Sequence, residues 1–358
     1  MNISIIGVGK LGLCFSLNLE KAGFNVVGMD VNKSYIESLS RKTFNSDEPG
    51  VNELLKEAKS IRFTTELKDA LENDILFIVV NTPSTPDWKY DHFIIDRISD
   101  ELIGLGRAAK RKDLIINSTT FPKYCESLQG KLKDYNYFVS YNPEFIAQGT
   151  ILRDQVYAET VLIGEADEYA GDTIEQIYKI MCLSQIKFNR MGLTEAELVK
   201  LSVNCFLTTK ISFANMIGDI AVRLNCNEEK VLSAIGADPR IGSKYLKYGF
   251  GFGGPCFPRD NRALAKCAED VGVDAAISKA TDEINKKHFE YQIQQFVKKN
   301  PYKEDLVEIE HITYKKESTL TEESQQLKFA LGLKDLGYNI KILDDRESMK
   351  LITKQYGF

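Results

Sequence analysis

Short β-branched runs alternate with helical patterns along the first 190 residues, and this alternation restricts the possible folds more than any other feature of the chain. It is typical of an α/β protein with a Rossmann-type, doubly wound parallel sheet. The predicted strands are 3–6, 26–29, 75–80, 114–117, 137–140 and 161–163, with helices such as 11–22 and 94–106 between them. We therefore predict one parallel sheet within residues 1–190.

The pattern changes after residue 190. Residues 194–225 form a long helical pattern without a strand signal, and Thr194 with Glu197 predicts a capping box at its start. Helical patterns continue to about residue 299, and the run NPYKED then predicts a linker. Beyond it we predict a strand at 306–314, a helix at 322–336 and a strand at 340–343. The expected domains are 1–190, a helical central domain at 191–300, and a truncated α/β unit at 301–358.

Composition limits the partners of the chain. The net charge of −5 provides no general attraction to nucleic acid or to an anionic membrane. Seven cysteines occur without a CxxC pair, and there are only three histidines, so we expect no metal site. Free thiols suit a reducing compartment. The N-terminus lacks the pattern of a signal peptide and no apolar run approaches the ~20 residues of a membrane helix, so we expect a cytoplasmic protein.

A glycine loop follows the first predicted strand. It reads Gly7-Val8-Gly9-Lys10-Leu11-Gly12, which is the GxGxxG pattern of dinucleotide binding between a strand and a helix. The first glycine makes the turn, the second lets the backbone approach a pyrophosphate, and the third packs the helix on the strand. Asp30 ends the second strand, where a carboxylate binds ribose hydroxyls and repels a 2′-phosphate. We therefore predict NAD as the cofactor, while nearby Lys33 keeps NADP open.

Two further strand ends are expected to border the same crevice, because ligands bind at the carboxyl ends of parallel strands. Thr82-Pro83 follow the strand at 75–80, and Ser118-Thr119 follow the strand at 114–117. Ordinary turns are the alternative interpretation for both pairs.

The long helix carries Lys200 and Asn204, which lie four residues apart and share a face. A solvated lysine is the usual interpretation of such a position. A cation beside an amide donor can also stabilise an alkoxide-like oxygen while hydride leaves the adjacent carbon. The pair therefore indicates a dehydrogenase without indicating its substrate.

Taken together, these motifs resemble the UDP-glucose/GDP-mannose dehydrogenase family over residues 1 to about 345. The matching segments are the glycine loop with Asp30, Glu48-Pro49-Gly50, Val80-Asn81-Thr82-Pro83, Ser118-Thr119, Asn142-Pro143-Glu144-Phe145, Glu197 to Lys200 with Asn204, and GFGFGGPCFPRD at 249–260. The resemblance implies two successive NAD-dependent oxidations of a sugar CH2OH, through an aldehyde, to a carboxylate. It also implies a homodimer that packs through the long helix at 198–224.

The resemblance assigns catalytic roles to six residues: Cys256, Lys200, Asn204, Asp260, Glu144 and Thr119. Cys256 is the nucleophile that holds the aldehyde as a thiohemiacetal and then as a thioester. Lys200 and Asp260 manage the substrate oxygen and its proton through water, while Asn204 holds that oxygen. Thr119 positions a water, and Glu144 is the base for thioester hydrolysis. Glu144 and Arg259 are also expected beside the cofactor.

Substrate contacts are implied for Glu144, Phe145, Lys200, Asn204, Arg240, Tyr245, Lys247, Phe252, Gly253 and Cys256. The loop around Cys256 is most similar to that of the UDP-glucose members, so we expect oxidation of UDP-glucose to UDP-glucuronate. The spacing of STTFP at 118–122 is that of the GDP-mannose branch, which keeps another nucleotide sugar open. A homologue that binds without turnover is the third alternative. We also expect the loop glycines to let the backbone close over a sugar ring.

The chain departs from the family pattern at two places. Gln148 stands where a second carboxylate is usual, so we expect thioester hydrolysis to be slower or to rest on Glu144 alone. Glu322 stands where the family has a substrate-contacting arginine, and the region after residue 301 is shorter than the family's nucleotide-binding domain. Both departures bear on hydrolysis and on nucleotide binding.

Overall fold

The structure is a computed structural model that describes residues 1–146, 149–316, 318–344 and 346–358. It contains two compact units, Met1–Lys200 and Leu201–Phe358. The predicted division into three domains stays a prediction.

The first unit alternates strands and helices. Its strands are β1 (Asn2–Ile6), β2 (Asn25–Met29), β3 (Ile61–Thr64), β4 (Ile75–Ile78), β5 (Lys112–Ile116), β6 (Tyr137–Tyr141), β7 (Thr160–Gly164) and β8 (Lys187–Met191). Its helices are α1 (Lys10–Lys21), α2 (Lys33–Ser40), α3 (Val51–Glu57), α4 (Leu67–Ala70), α5 (Phe93–Gly104), α6 (Tyr124–Leu132), α7 (Ile151–Val156) and α8 (Glu168–Met181), with a 3-10 turn at Lys133–Tyr135.

All eight strands form one sheet in the order β3-β2-β1-β4-β5-β6-β7-β8. The Rossmann-type fold is confirmed, with one difference: β7 pairs with β6 in the antiparallel sense, so β7 and β8 run against the other strands. The sequence prediction also missed β3 and β8. Both lie at the edges of the sheet and are only partly buried, so their sequences lack the continuous apolar runs of central strands.

The central strands are buried on both faces because successive side chains point to opposite sides of the sheet. In β4, Ile75 and Phe77 join one hydrophobic cluster, and Leu76 and Ile78 join the other. Helices α1 and α8 pack in the first cluster, while α5 and α6 pack in the second. Because helices cover both faces of the sheet, the strand ends and the loops that follow them are the places where polar groups can gather.

The second unit is mainly helical. The chain enters it along α9 (Leu193–Arg223), followed by α10 (Glu228–Gly236), α11 (Phe257–Asp270), α12 (Ala276–Lys299), β9 (Leu306–Ile309), α13 (Gln325–Asp335), β10 (Asn339–Ile342) and α14 (Glu347–Gln355). Strands β9 and β10 pair in parallel as a small separate sheet. Among the described residues, α9 is long and apolar enough to cross a membrane by length and composition alone, a test that core helices of soluble proteins also pass.

The predicted capping box of Thr194 with Glu197, one helix start and one strand end were wrong. Helix α9 begins at Leu193, and Glu195 rather than Glu197 reaches back to the preceding backbone, accepting from the Gly192 amide at 2.7 Å. The predicted strand 306–314 ends at Ile309, and the helix predicted from residue 322 begins at Gln325. This helix begins later than predicted because the Ser324 hydroxyl accepts from the Leu327 amide and caps the helix at that point.

Candidate active site

The glycine loop between β1 and α1 has the shape that a dinucleotide requires. Gly7 has φ of +96°, and a Cβ there would collide with the carbonyl oxygen of Val79. A Cβ on Gly12 would collide with the carbonyl oxygen of Gly7. At Gly9, by contrast, a Cβ would meet no protein atom within 4 Å. The open space lies at the amino end of α1, where unpaired backbone N–H groups favour a pyrophosphate, so these residues fit NAD.

Asp30 follows β2 on the same side of the sheet. Its carboxylate accepts from the Asn32 amide at 3.0 Å and is only partly buried, so it is placed to accept ribose hydroxyls. Lys33 is exposed at the start of α2. The Tyr35 hydroxyl donates to the carbonyl oxygen of Val8 at 2.8 Å, which ties α2 to the glycine loop.

The loops that follow β4 and β5 are joined by hydroxyl groups. The Ser118 hydroxyl donates to the Val80 carbonyl at 2.7 Å and accepts from the Val80 amide at 2.9 Å. The Thr82 hydroxyl donates to the Thr119 carbonyl at 2.7 Å. Ser118 and Thr82 therefore hold the two strand ends against each other, while the side chain of Thr119 stays partly exposed.

Glu197 holds the far side of the loop that carries Thr119. Its fully buried carboxylate accepts from the Thr120 hydroxyl at 2.8 Å, the Lys123 amide at 2.7 Å and the Cys125 amide at 2.9 Å. The last two donors lie at the amino end of α6, which favours a negative charge. Burial raises the pKa of Glu197, and these hydrogen bonds oppose that shift. We interpret Glu197 as an anchor of this loop.

The predicted residues Glu144, Phe145 and Lys200 come together in the first unit. The Lys200 ammonium donates to the Glu144 carbonyl at 2.6 Å and lies 4.4 Å from the centre of the Phe145 ring. The Tyr178 hydroxyl lies 3.5 Å from the Glu144 carboxylate. Burial raises the pKa of Glu144 to about 7, although the charge of Lys200 opposes the shift. A carboxylate with this pKa is suited to act as a general base near neutral pH.

Glu48, from the Glu48-Pro49-Gly50 motif, holds the segment that follows Glu144. Its buried carboxylate accepts from the Gly149 amide at 2.9 Å and the Ile151 amide at 2.7 Å. Gln148, the position where the family has a second carboxylate, lies outside the described residues.

The second unit brings together Asn204, Asp260 and the backbone of Cys256. The Asn204 amide donates to the Asp260 carboxylate at 2.7 Å, and the Arg259 guanidinium donates to its other oxygen at 3.0 Å. Asp260 is fully buried, and its amide donates to the Cys256 carbonyl at 2.8 Å. Cys256 caps the amino end of α11 and is exposed. A thiolate at a helix amino end is stabilised by the local dipoles.

Three of the four glycines before Cys256 lie close to other protein atoms, and the expectation that they serve a sugar ring stays a prediction. A Cβ on Gly251 would collide with the Asn285 amide, and one on Gly253 would collide with the Glu323 carbonyl. Gly254 has φ of +80°, and a Cβ there would lie 2.6 Å from the Tyr314 ring. A Cβ on Gly249 would meet no protein atom within 4 Å.

Phe252, a predicted substrate contact, has several contacts within the protein, and its role toward a substrate stays a prediction. Its side chain is buried, its amide donates to the Asn285 side chain at 3.0 Å, and its carbonyl accepts from Asn285 at 3.0 Å and from Gln325 at 3.1 Å. Phe252 is therefore an anchor of the loop. The other predicted contacts, Arg240, Tyr245 and Lys247, are exposed.

The segment after residue 313 packs on this loop. The Gly254 amide donates to the carbonyl oxygen of Glu322 at 3.1 Å, and the Glu322 side chain is exposed. Glu323 forms ion pairs with Arg262 at 3.0 Å and with Lys328. The segment that differs from the family pattern thus packs directly against the cysteine loop.

Sequence reasoning missed several supporting residues: Glu48 and Glu197 as anchors, and Asn285, Gln325 and His288 as supports of the cysteine loop. The carboxylates lie within recognised motifs, so the signal was present without its role. Asn285 and His288 lie in a helical stretch without any motif, where no sequence signal distinguishes them.

The sheet order, the glycine loop and the carboxylate after β2 define a dinucleotide-binding protein of the dehydrogenase class. Residues 1–182 match the NAD binding domain of the UDP-glucose/GDP-mannose dehydrogenase family, and residues 194–287 match its central domain. The chain belongs to this family, and NAD is its cofactor.

Individual relatives agree with this assignment. UDP-glucose 6-dehydrogenase YwqF of Bacillus subtilis is 32% identical over 295 residues, which are 80% of this chain and 66% of that protein. The chain thus spans slightly less than two thirds of this relative. A UDP-glucose dehydrogenase structure from Pyrobaculum islandicum has a TM-score of 0.89 and 29% identity, covering 99% of this chain and 84% of that one. A GDP-mannose dehydrogenase ternary complex from Pseudomonas aeruginosa has a TM-score of 0.63 and 26% identity, covering 99% and 84%.

Proposed function

We propose that this protein oxidises UDP-glucose at C6 to UDP-glucuronate in two NAD-dependent steps. The proposal rests on the arrangement of three residues in the second unit. The exposed Cys256 stands at the amino end of α11, and the buried Asp260, one turn further along that helix, is hydrogen-bonded to Asn204. A protein that only binds nucleotides has no use for a nucleophile supported in this way. The first-unit pair of Lys200 and Glu144 provides the cation and the base that the same reaction needs.

In the first oxidation the substrate alcohol loses a hydride from C6 and a proton from its oxygen. When bound, NAD accepts the hydride in each oxidation. Lys200 and Asn204 stabilise the alkoxide-like oxygen as charge develops. Asp260, which is fully buried and bonded to Asn204 at 2.7 Å, takes up the proton through water.

In the second oxidation the Cys256 thiolate adds to the aldehyde carbon, forming a carbon–sulfur bond and a thiohemiacetal. Loss of a second hydride from C6 and of the hydroxyl proton converts this adduct to a thioester. Thr119 then positions a water, and Glu144 removes a proton as that water attacks the thioester carbon. The carbon–sulfur bond breaks, the thiolate returns, and the acid is released.

The choice of UDP-glucose rests on the loop around Cys256 and on relatives whose names specify that substrate. The STTFP spacing at 118–122 favours a GDP-sugar as the second candidate. A UDP-N-acetylhexosamine, or binding without turnover, completes the set to be tested.

The deciding experiment measures NADH absorbance with a panel of UDP- and GDP-sugars. We expect turnover with UDP-glucose and about two NADH per sugar, because two hydrides leave C6. Greater kcat/KM with another nucleotide sugar would replace the substrate. NAD binding without NADH formation from any sugar would leave only the binding function.

The covalent step is tested separately with Cys256→Ser. A hydroxyl is a poorer nucleophile than a thiolate and a poorer leaving group, so we expect net acid formation to stop. Cys226→Ser, at another exposed cysteine, is the control. Acid formation by Cys256→Ser at the unsubstituted rate would exclude the cysteine mechanism.

We also propose a homodimer in the cytoplasm. On α9 the apolar residues Phe206, Phe213 and Ile220 are exposed and recur every seven residues, a pattern that suits a second copy of the helix. The seven cysteines, all within the described residues, form no disulfide, which suits a reducing compartment. Light scattering tests the assembly: we expect a dimer that Phe206→Glu with Phe213→Glu dissociates, and a monomeric unsubstituted protein would exclude it.

A further inference from the structure

His288 lies in α12, away from every motif, and is almost fully buried. Its Nδ1 is 3.0 Å from both carboxylate oxygens of Asp219 on α9. Its Nε2 is 2.7 Å from the carbonyl oxygen of Gly249, the first residue of the cysteine loop. A buried side chain thus connects a carboxylate in the second unit to the start of the segment that carries Cys256.

The hydrogen-bond partners determine which atoms hold protons. A carbonyl oxygen can only accept, so Nε2 must carry a proton. The Asp219 carboxyl accepts from the Tyr248 hydroxyl at 2.9 Å and faces Nδ1 from the other side of the ring. The ring of His288 is therefore held at both nitrogens, by a carboxyl group on α9 and by the carbonyl of Gly249.

The loop between Gly249 and Cys256 has no helix or strand of its own and depends on such contacts. The Gly249 amide donates to the Asn215 side chain at 3.1 Å, and its carbonyl also accepts from Gln292 at 3.1 Å. Further along, Phe252 and Gly254 are held by the contacts described above. The His288 ring adds a buried N–H donor at the start of this loop.

We propose that His288, held in place by Asp219, is a positioning residue that sets the path of the cysteine loop and thereby the place of the Cys256 thiol at the amino end of α11. The proposal rests on the proposed function of Cys256 as the nucleophile. A displacement on the order of 1 Å at a reacting atom can reduce a rate by about 100-fold, so small movements of this loop matter.

The first test measures alkylation of Cys256 by iodoacetamide without substrate, using mass spectrometry of its peptide. Exposed Cys226 in the same molecule is the internal reference. We expect the ratio of the Cys256 rate to the Cys226 rate to fall roughly tenfold in His288→Gln and in Asp219→Asn, because a displaced thiolate loses the stabilisation of the helix amino end. The double variant should be no slower than either single variant, since both changes break one unit.

His311→Gln is the matched control, because His311 bonds locally to Thr313. An alkylation ratio in folded His288→Gln that is unchanged or higher would overturn the proposal. So would additive effects of the two substitutions.

The second test uses the unsubstituted protein and does not depend on how the variants fold. Histidine labelled with 15N gives three pairs of ring-nitrogen signals, which His92→Gln and His311→Gln assign by elimination. We expect Nε2 of His288 to carry a proton, and an unprotonated Nε2 would refute the hydrogen bond to the Gly249 carbonyl. Neither test uses a nucleotide sugar, so failure of the substrate assignment leaves the result intact, while intact alkylation of Cys256 with no acid formation would count against the proposed function alone.

Discussion

Glu144→Gln should stabilise the protein at alkaline pH while it slows release of the acid. Burial raises the pKa of Glu144 from an ordinary value of 4.5 to about 7 in the folded state. At about 1.4 kcal/mol per pKa unit, ionising this buried carboxyl lowers the free energy of unfolding by about 3 kcal/mol. Glutamine keeps the size and an acceptor oxygen but carries no charge, so it avoids this penalty.

The sign of the pH dependence follows from the direction of the shift. Below an ordinary pKa of 4.5 both states of the protein hold the proton, and the substitution changes little. As the pH rises toward about 7, the unfolded state loses the proton first, so the unsubstituted protein loses stability relative to the variant. Above about 7 the full difference is present.

The assay is urea unfolding followed by the fluorescence of Trp88, the chain's single tryptophan, which lies in the first unit. We expect the advantage of Glu144→Gln to grow by about 2–3 kcal/mol between pH ~5 and pH ~8. Glu101→Gln, at an exposed residue of α5, controls for the loss of one charge. An advantage that is equal at both pH values, or a variant less stable at pH ~8, would refute the reasoning.

Three further predictions concern backbone and loop supports. Gly9→Ala should weaken NAD binding roughly tenfold or more, measured by calorimetry, and leave thermal stability unchanged. Gly7→Ala should lower the free energy of unfolding by ~2 kcal/mol or more, because Gly7 has a positive φ and a Cβ there would meet a backbone carbonyl. If the two variants changed NAD binding and stability equally, the separate roles of Gly9 and Gly7 would be contradicted. Glu197→Gln should lower the free energy of unfolding by about 1–3 kcal/mol, because a glutamine side chain cannot accept all three hydrogen bonds. The backbone amide of Cys125 should then exchange faster with deuterium. If that amide stayed protected from exchange, the anchor role of Glu197 would be excluded. Gly254→Ala should lower the free energy of unfolding and slow alkylation of Cys256 in the folded protein, since a Cβ there would lie 2.6 Å from the Tyr314 ring. An unchanged alkylation rate would show that the strain does not reach Cys256.

The sequence predicted the fold wherever burial and local chemistry point to the same structure. The central strands are continuous apolar runs, so β1, β4 and β5 were found with ends within two residues or so. The direction of β7 was not found, because the reversal at β6 depends on long-range pairing and leaves no local pattern. Most side chains of the edge strand β8 are partly buried rather than alternately buried and exposed, so its sequence lacks the alternation of apolar and polar residues that identifies a strand.

The candidate site divides in the same way. Residues with distinctive chemistry in fixed motifs, such as Asp30, Lys200 and Cys256, are identifiable from the sequence, although their roles stay predictions. What holds them in place was not identifiable. The capping prediction for Glu197 used a local rule, whereas the carboxylate bonds to backbone more than 70 residues earlier in the chain.

The glycines of the cysteine loop show that a motif alone does not identify everything that approaches the backbone. Absence of a side chain indicates only that something approaches the backbone, and in this structure Asn285, Glu323 and Tyr314 approach it. Glu323 and Tyr314 belong to the very segment that departs from the family pattern. A change in that segment therefore acts on the cysteine loop through packing, even where its side chains make no contact with a substrate. We therefore expect single substitutions within residues 314–324 toward the family's residues to disturb the cysteine loop.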